Sequence, residues 1–302
     1  MGVNNIFMMN IHIIAGARPN FIKIASIINA IQRENELRKT ISFKLIHTGQ
    51  HYDKKMSEDF FNQLSIPKPD FSLGAVTGSH AKQTASIMIG YEEILEKEKP
   101  DYCLVVGDVN STMACAITAQ KMGIKVVHVE AGIRSNDWSM PEEINRLITD
   151  SITNLFFTTS VNATENLLAS GVDQKKIFFV GNTMIDTLIK NKGSFREPSF
   201  WKEFKLEKNK YLVITLHRPS NVDDISQLKF LIDLLIFASR DIKLIFPSHP
   251  RTAEQLKKLG KLPDRLLIME PMSYFEFNYI VQHSKGVITD SGGITEETTF
   301  MN

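Results

Sequence analysis

The sequence predicts an α/β fold with a doubly wound parallel sheet, followed by a second α/β domain of the same plan. Apolar runs rich in β-branched residues alternate with amphipathic segments of helical length, which is typical of parallel strands joined by helices. The 302 residues are 43% hydrophobic, which is enough for two moderate cores. We therefore expect two Rossmann-like domains, each with helices on both faces of its sheet.

The first domain is expected to contain six buried strands and at least four helices. The strands are predicted at residues 11–14, 43–46, 102–106, 125–129, 155–158 and 177–180. The helices are predicted at residues 19–32, 84–97, 111–122 and 141–152. The charged run at residues 92–99 is interpreted as the solvated face of the second helix.

The pattern restarts after Gly181, and the polar stretch at residues 191–210 is the expected hinge. We predict domains at 1–182 and 183–302. In the second domain, strands are predicted at 211–216, 243–247, 266–269 and 286–289, and helices at 225–239, 252–259 and 273–283. The chain stops at Asn302, soon after a further helix begins, so this domain is predicted to be incomplete.

Composition argues against several functional classes. A net charge of +1 gives no electrostatic reason for binding nucleic acid or a membrane surface. Cys103 and Cys115 lack metal-ligand spacing and are expected to be buried free thiols in a reducing compartment. No segment is typical of a signal peptide or a membrane span, so we expect a cytoplasmic protein.

Glycine-rich and basic residues follow the predicted strands, at the sheet edge where ligands of α/β proteins bind. The turn Ser291-Gly292-Gly293 opens a helix, whose free N–H groups and dipole suit a phosphate. Glu297, one turn further on, could accept hydrogen bonds from sugar hydroxyls. Arg18, before Pro19 at a helix start, could hold an anion or be an ordinary surface arginine.

Three acids are expected near the same edge of the first sheet. Asp108 could simply cap a helix, and Glu142 could form an i,i+4 pair with Arg146, but Glu130 ends an apolar strand, where a carboxylate is costly to bury. Together Asp108, Glu130 and Glu142 favour proton transfer on a sugar ring, with one acting as base and another as acid. The residues do not show which acid has which role.

Histidines follow strands in both domains. His47 and His51 are four residues apart, but without further ligands a hydrogen-bonding role is favoured over a metal pair. His217 follows a strand of the second domain and could contact phosphate or be an ordinary loop histidine. We expect the second domain to hold the nucleotide and the first to act on the sugar. Such a cleft between two Rossmann-like halves is the GT-B arrangement.

Motifs in the same order over nearly the whole chain resemble those of the non-hydrolysing UDP-N-acetylglucosamine 2-epimerases. They are Gly16-x-Arg18-Pro19-x-x-x-Lys23, His47-Thr-Gly-Gln-His51, Gly107-Asp108, His128-Val-Glu-Ala-Gly132-x-Arg134, Pro141-Glu-Glu-x-Asn-Arg146-x-x-x-Asp150, Gly181-Asn182-x-x-x-Asp186, His217-Arg218 and Asp290-Ser-Gly-Gly-Ile-x-Glu-Glu297. The resemblance implies an isomerase that needs no metal or NAD and that is usually a homodimer. It implies conversion of UDP-GlcNAc to UDP-ManNAc for surface polysaccharide, by elimination of UDP to a glycal and its re-addition.

The resemblance also implies roles by position. The acids for proton transfer match Asp108, Glu130 and Glu142, and His217 matches a catalytic residue near the diphosphate. Positions that bind UDP or the substrate match Arg18, Lys23, Asp108, Glu130, His217, Phe277, Ser291, Gly292, Gly293 and Glu297. Phe277 would more often be a core residue of its helix.

Some residues depart from the family pattern. Pro219 and Ser220 stand where many bacterial members have an arginine and a glutamate, and Tyr52 and Asp53 also differ. In allosteric members those positions help to hold an activating second UDP-GlcNAc, so the resemblance does not extend to that activation. The variant motifs also resemble epimerases acting on UDP-2,3-diacetamido-glucuronate. The residues are compatible, too, with a hydrolysing epimerase or with an inactive, truncated nucleotide-sugar binder.

Overall fold

The computed structural model describes residues 8–49, 60–74 and 78–301. The chain divides into two compact units, Met1–Thr187 and Leu188–Asn302. Each unit contains one sheet in which every recorded strand pair is parallel, and helices connect the strands. The predicted α/β class is confirmed.

The sheet of the first unit has seven strands in the order β3-β2-β1-β4-β5-β6-β7. They are β1 (Met9–Ala15), β2 (Ile41–His47), β3 (Phe71–Ser72), β4 (Tyr102–Val106), β5 (Lys125–Val129), β6 (Leu155–Thr158) and β7 (Ile177–Phe179). All six predicted strands form, and β3 was not predicted. Its two residues are too few to show an alternating pattern.

Helices connect successive strands of the first unit, and one more follows β7 and continues into the second unit after Thr187. They are α1 (Arg18–Leu37), α2 (His80–Lys97), α3 (Asn110–Lys121), α4 (Pro141–Ser151), α5 (Val161–Ala169), α6 (Thr183–Asn191) and a 3₁₀ turn at Gln174–Lys176. Residues 60–64 are also helical. The four predicted helices are confirmed, although α1 continues to Leu37 instead of ending at Gln32. Helices α5 and α6 are nine residues each, and we did not predict them.

The core on one face of the first sheet is built from strand residues and from α2 and α3. Tyr91, Leu95, Val105 and both cysteines belong to it and are buried. Cys103 and Cys115 are free, as predicted, and burial raises the pKa of the Cys103 thiol to about 12. Such thiols are unreactive near neutral pH, which gives them a packing role.

The second unit has a four-stranded sheet in the order β10-β9-β8-β11. Its strands are β8 (Tyr211–Thr215), β9 (Lys243–Pro247), β10 (Leu266–Met269) and β11 (Gly286–Thr289). Its helices are α7 (Phe200–Glu203), α8 (Pro219–Val222), α9 (Ile225–Ser239), α10 (Pro250–Lys258), α11 (Tyr274–Gln282) and α12 (Gly292–Met301), with a 3₁₀ turn at Lys192–Ser194. The four strands and the helices α9 to α12 confirm the predicted pattern.

Strand order decides which turns meet. In the first unit β1 and β5 both pair with β4, so the turns that follow these three strands share one edge of the sheet. In the second unit β11 and β9 both pair with β8. Residues that are far apart in sequence are therefore brought together at the carboxyl ends of the strands. Among the described residues, no helix is long and apolar enough to span a membrane.

Candidate active site

Glu130 directly follows β5, and its carboxylate forms an ion pair inside the first unit. Its side chain is 7% exposed, and its Oε2 lies 2.5 Å from Nζ of Lys23, on α1. The backbone of Glu130 has a φ of 66°. A non-glycine residue in this left-handed region is uncommon, and such strain is found most often at functional sites. The geometry therefore singles out Glu130 among the acids.

The turn after β4 approaches this ion pair closely at Gly107. A β-carbon at Gly107 would lie 3.4 Å from Nζ of Lys23 and 3.5 Å from Oε2 of Glu130. The residue has a φ of 70°, which glycine adopts at little cost. Gly107 thus brings the next residue, Asp108, to the same sheet edge as Glu130.

Asp108 is held by an arginine of α4. Its Oδ2 accepts hydrogen bonds from Nε of Arg146 at 3.0 Å and from a terminal nitrogen of the same guanidinium at 2.5 Å. Its side chain is 30% exposed, so part of the carboxylate still faces solvent. Asp108 does not cap α3, because the residue at the cap position is Val109. The interpretation of Asp108 as a helix cap is therefore wrong.

Arg146 also forms an ion pair with Glu143, in which a guanidinium nitrogen lies 2.8 Å from a carboxylate oxygen. The alternative i,i+4 pair between Glu142 and Arg146 is not the one that forms. The i,i+3 spacing brings Glu143 to the guanidinium, and its carboxylate also accepts N–H bonds from Ser135 and Asn136. Burial by itself would raise the pKa of Glu143, but these donors lower it to about 2. Glu142 lies half-exposed in the first turn of α4. The third candidate acid is therefore on the helix that holds Asp108.

Arg18 begins α1, in the turn that follows β1. Its guanidinium lies over the ring of Phe60, 4.8 Å from the centroid. The preceding turn is fixed by the amide oxygen of Asn20, which accepts the N–H groups of Gly16 at 3.2 Å and Ala17 at 2.8 Å. Thus Arg18, Lys23, Asp108 and Glu130 all belong to the edge formed by β1, β4 and β5.

Of the two histidines that are four residues apart, His47 and His51, the structure describes only His47. His47 is buried and its ring is 5.3 Å from that of Phe21, and burial lowers the pKa of its imidazole. His51 lies outside the described residues, as do Tyr52 and Asp53. No group of three or more His, Cys, Asp or Glu side chains suited to a metal ion occurs in the described part of the chain.

In the second unit, Asp290 organises the turn that follows β8. Its carboxylate accepts the backbone N–H groups of His217 and Arg218, at 3.0 Å each, and the side-chain amide of Asn221 at 2.9 Å. It also lies 2.6 Å from Nδ1 of His217. Burial opposes ionisation, but these bonds lower the pKa of the Asp290 carboxyl. The sequence alone led us to assign no role to Asp290, although this residue directly follows the predicted strand at 286–289.

His217 is thereby held with its other ring nitrogen away from Asp290. Its side chain is 63% exposed, so that nitrogen is accessible to a ligand. A carboxylate at Nδ1 fixes the orientation of the imidazole. The arrangement suits contact with an anionic group.

The turn Ser291-Gly292-Gly293 begins α12. The N–H of Ser291 donates to the hydroxyl of Thr289 at 3.0 Å, and Gly292 is the first residue of the helix. A β-carbon at Gly292 would meet no atom within 4 Å, so the space beside the first helical turn is open. Open backbone N–H groups at a helix start suit a phosphate.

Glu297 is buried on the inner side of α12. It is 5% exposed, and its Oε1 accepts a hydrogen bond from the hydroxyl of Tyr274 at 2.7 Å. Burial raises the pKa of the Glu297 carboxyl to about 7, although the bond from Tyr274 lowers it. Phe277, on α11, is half-buried and packs in the cluster around Trp201 and Tyr211. The interpretation of Phe277 as a core residue therefore has structural support.

The elevated pKa of Glu297 predicts that the second unit loses stability as pH rises. Because the folded-state pKa of about 7 lies above the unfolded value, folding retains a proton there. This contribution is complete below the unfolded pKa and is lost as pH rises through about 7, with a size on the order of 3 kcal/mol. Denaturant unfolding followed by tryptophan fluorescence in a Trp138→Phe background, which leaves Trp201 of this unit as the emitter, should show the decrease.

Matched variants separate this group from others that titrate in the same range. Glu297→Gln keeps an acceptor for Tyr274 and should flatten the pH dependence between about pH 5 and about pH 8. Glu254→Gln changes an exposed acid of α10, and the pH dependence of stability in this variant should equal that of the unsubstituted chain. An unchanged pH dependence in Glu297→Gln would contradict the assignment.

A class of protein follows from these observations. Two α/β units, one with carboxylates at a strand edge and one with an open glycine turn at a helix start, are typical of nucleotide-binding α/β proteins. The sequence profile described as UDP-N-acetylglucosamine 2-epimerase matches residues 33–302. The chain therefore belongs to this family of isomerases, which act on a nucleotide sugar.

Similar proteins agree with this assignment. The "UDP-N-acetylglucosamine 2-epimerase homolog" of Methanococcus maripaludis is 42% identical over 300 residues, which cover 97% of this chain and 82% of that protein. The UDP-2,3-diacetamido-2,3-dideoxy-D-glucuronate 2-epimerase of Pseudomonas aeruginosa is 37% identical over 295 residues, 97% of this chain and 81% of the relative.

A solved structure shows the same fold. The crystal structure of Methanocaldococcus jannaschii UDP-GlcNAc 2-epimerase, in complex with UDP-GlcNAc and UDP, has a TM-score of 0.86 and 38% identity to this chain. The comparison covers 97% of this chain and 82% of that one. The solved relatives are GT-B-like, which agrees with the predicted fold class.

Proposed function

We propose that this chain interconverts UDP-GlcNAc and UDP-ManNAc without hydrolysing the nucleotide sugar. The observation that carries the proposal is the pair of carboxylates at adjoining strand ends, Asp108 after β4 and Glu130 after β5. Each is ion-paired with a cation, Arg146 or Lys23. Two acids held at one sheet edge can remove a proton from a carbon and return one to it.

The reaction balances without an added reactant. One carboxylate takes the proton from C2, the bond between C1 and the UDP oxygen breaks, and a glycal and UDP form. UDP then adds back to C1 while a proton is delivered to the opposite face of C2. The balanced reaction consumes no water and no electrons. We propose that the enzyme needs neither a metal nor NAD, as the family resemblance implies. Chelation with EDTA should leave its rate unchanged.

The roles of individual residues are part of the proposal. In the first unit, Asp108, Glu130 and Glu142 handle the proton, and Arg18 and Lys23 bind the substrate. In the second unit His217 is catalytic, near the diphosphate, and the residues that bind UDP or the substrate are His217, Phe277, Ser291, Gly292, Gly293 and Glu297. The open helix start at Gly292 and the exposed imidazole of His217 support these assignments, because both offer donors to a departing diphosphate.

We further propose that the enzyme supplies a precursor for surface polysaccharide, and that it is cytoplasmic and homodimeric. The resemblance to the family is the support for all three. Light scattering of the purified chain measures the oligomeric state. A monomer at micromolar concentration would count against the dimer.

A second candidate substrate has support of its own. The Pseudomonas aeruginosa relative, named as a UDP-2,3-diacetamido-2,3-dideoxy-D-glucuronate 2-epimerase, is 37% identical to this chain. Its sugar carries a carboxylate that UDP-GlcNAc lacks. Comparing kcat/KM for the two nucleotide sugars decides which is preferred.

The function is tested by NMR of the purified chain with UDP-GlcNAc in deuterium oxide. We expect solvent deuterium at C2 and the appearance of UDP-ManNAc, with little free UDP. If free UDP accumulates in step with turnover, the enzyme hydrolyses its substrate and the non-hydrolysing reaction is wrong. If calorimetry shows that the nucleotide sugar binds but no deuterium enters C2, the chain is a binder and not an epimerase.

A further inference from the structure

A buried hydrogen-bond network connects the two turns that carry Asp108 and Glu130. His128, in β5, is fully buried. Its Nδ1 lies 2.7 Å from Oδ1 of Asp150, on α4, and its Nε2 lies 2.9 Å from the carbonyl oxygen of Gly107. A single imidazole therefore joins the turn after β4 to helix α4.

The other oxygen of Asp150 fixes the turn after β5. It accepts the backbone N–H of Gly132 at 3.1 Å and lies 2.6 Å from the guanidinium of Arg134. Gly132 and Arg134 follow Glu130 by two and four residues. Asp150 thus connects the Glu130 turn to the imidazole that contacts Gly107.

The network is ionic as well as buried, because the guanidinium of Arg134 is paired with the carboxylate of Asp150. Both ring nitrogens of His128 face oxygen atoms of the network. Burial alone would raise the pKa of the Asp150 carboxyl, but the contacts with His128 and Arg134 lower it. Buried ion pairs seldom stabilise a fold more than apolar residues of the same size would. A role other than stability is therefore needed to explain these residue types.

The network lies beside Glu130, whose backbone is in an unfavourable conformation. Glu130 has a φ of 66°, whereas the φ of 70° at Gly107 costs a glycine little. A non-glycine residue such as Glu130 stays in this region only when its surroundings fix it. The bonds from His128 to Gly107 and from Asp150 to Gly132 supply such constraints beside each turn.

We infer that His128 and Asp150 are positioning residues that fix the separation between the carboxylates of Asp108 and Glu130. The inference rests on the proposed function, in which these two acids exchange protons with one carbon. A displacement of about 1 Å in such a pair is enough to lower a rate on the order of 100-fold. UDP is assigned to residues of the second unit, so its binding should not depend on the network.

The test uses four variants of the full chain. His128→Leu removes both bonds of the imidazole, and His128→Gln keeps one donor in case the leucine variant does not fold. Asp150→Asn removes the charge from the centre of the network. Asn154→Ala is the matched control. The side chain of Asn154 accepts a hydrogen bond from the N–H of Val126, at the start of β5, at 2.7 Å. Its removal therefore loosens the same strand at the end away from the site.

In the first three variants we expect kcat to fall about 10–100-fold, with KM and the calorimetric affinity for UDP changed less than about threefold. Asn154→Ala should lower the melting temperature and leave kcat within about twofold. An equal loss of kcat in Asn154→Ala would mean that the network only stabilises the fold. Unchanged kcat in the other three would overturn the inference.

Amide hydrogen exchange gives a readout that does not depend on activity. We expect faster exchange at Gly107, Ala131 and Gly132 in the network variants than in Asn154→Ala. If the unsubstituted chain shows no deuterium at C2, the proposed function fails, while the exchange rates still decide whether the network holds both turns. Equal exchange in all variants would show that it does not.

Discussion

Replacement of Glu130 by glutamine is expected to lower kcat by about 10²–10⁴-fold, the range found for loss of a general acid or base. Glutamine has the same shape and keeps an oxygen that can accept from Lys23, so the ion pair becomes a hydrogen bond and the turn is retained. It cannot take or return a proton. The loss should therefore fall on kcat and hardly on KM.

The measurement is the rate of deuterium entry at C2, together with epimer formation, for Glu130→Gln and a control. Glu165→Gln changes an exposed acid of α5, in the same unit, and should behave as the unsubstituted chain. Calorimetric binding of UDP should be the same in all three proteins. A Glu130→Gln variant with more than a tenth of the original kcat would remove Glu130 from the proton-transfer step.

Much of the fold can be predicted from local sequence patterns. The strands at Tyr102–Val106 and Lys125–Val129 form with the predicted bounds, because each is a short apolar run rich in β-branched residues and bounded by polar ones. The alternation with helices predicts that the strands are parallel, so their carboxyl ends share one edge of the sheet and the acids that follow them could be assigned to it. Strand β3, with only two residues, offers no such pattern.

The contacts of the site side chains could not be predicted in the same way. Arg146 has acids at spacings of three and four in its own helix and a third, Asp108, 38 positions away. Local spacing favours Glu142 as much as Glu143. The choice depends on how α4 is rotated against the sheet, which is a property of tertiary packing. The left-handed backbone of Glu130 is equally hidden, since nothing in its residue type requires it.

Burial of the site acids was the other unpredictable quantity. Glu297 matches a substrate-binding position, but its pairing with Tyr274, 23 residues earlier, depends on the contact between α11 and α12. That pairing and its burial bring the pKa of the carboxyl to about 7. An acid expected to be charged at neutral pH is therefore partly protonated.

Gly132→Ala is expected to destabilise the first unit by about 2–5 kcal/mol, the largest stability effect we predict. Two costs add. Gly132 has a φ of 80°, where a side chain costs about 1–2 kcal/mol. Its β-carbon would also lie 2.2 Å from the carbonyl oxygen of Ala163, so α5 or the Glu130 turn must move, at a further cost of about 1–3 kcal/mol. Domain stability is typically about 5–15 kcal/mol, so much of it would be lost.

Gly171→Ala is the matched control, because Gly171 lies just after α5 and has a φ of 85°, but a β-carbon there would meet no atom within 4 Å. It carries the backbone cost without the collision and should lose only about 1–2 kcal/mol. Denaturant unfolding followed by circular dichroism measures both losses. In a Trp138→Phe background the fluorescence of Trp201 reports the second unit as an internal reference. Equal losses in the two variants would show that the turn absorbs the β-carbon without displacing α5. A larger loss in Gly132→Ala, together with lower kcat, would show that the contact between α5 and the turn supports the position of Glu130.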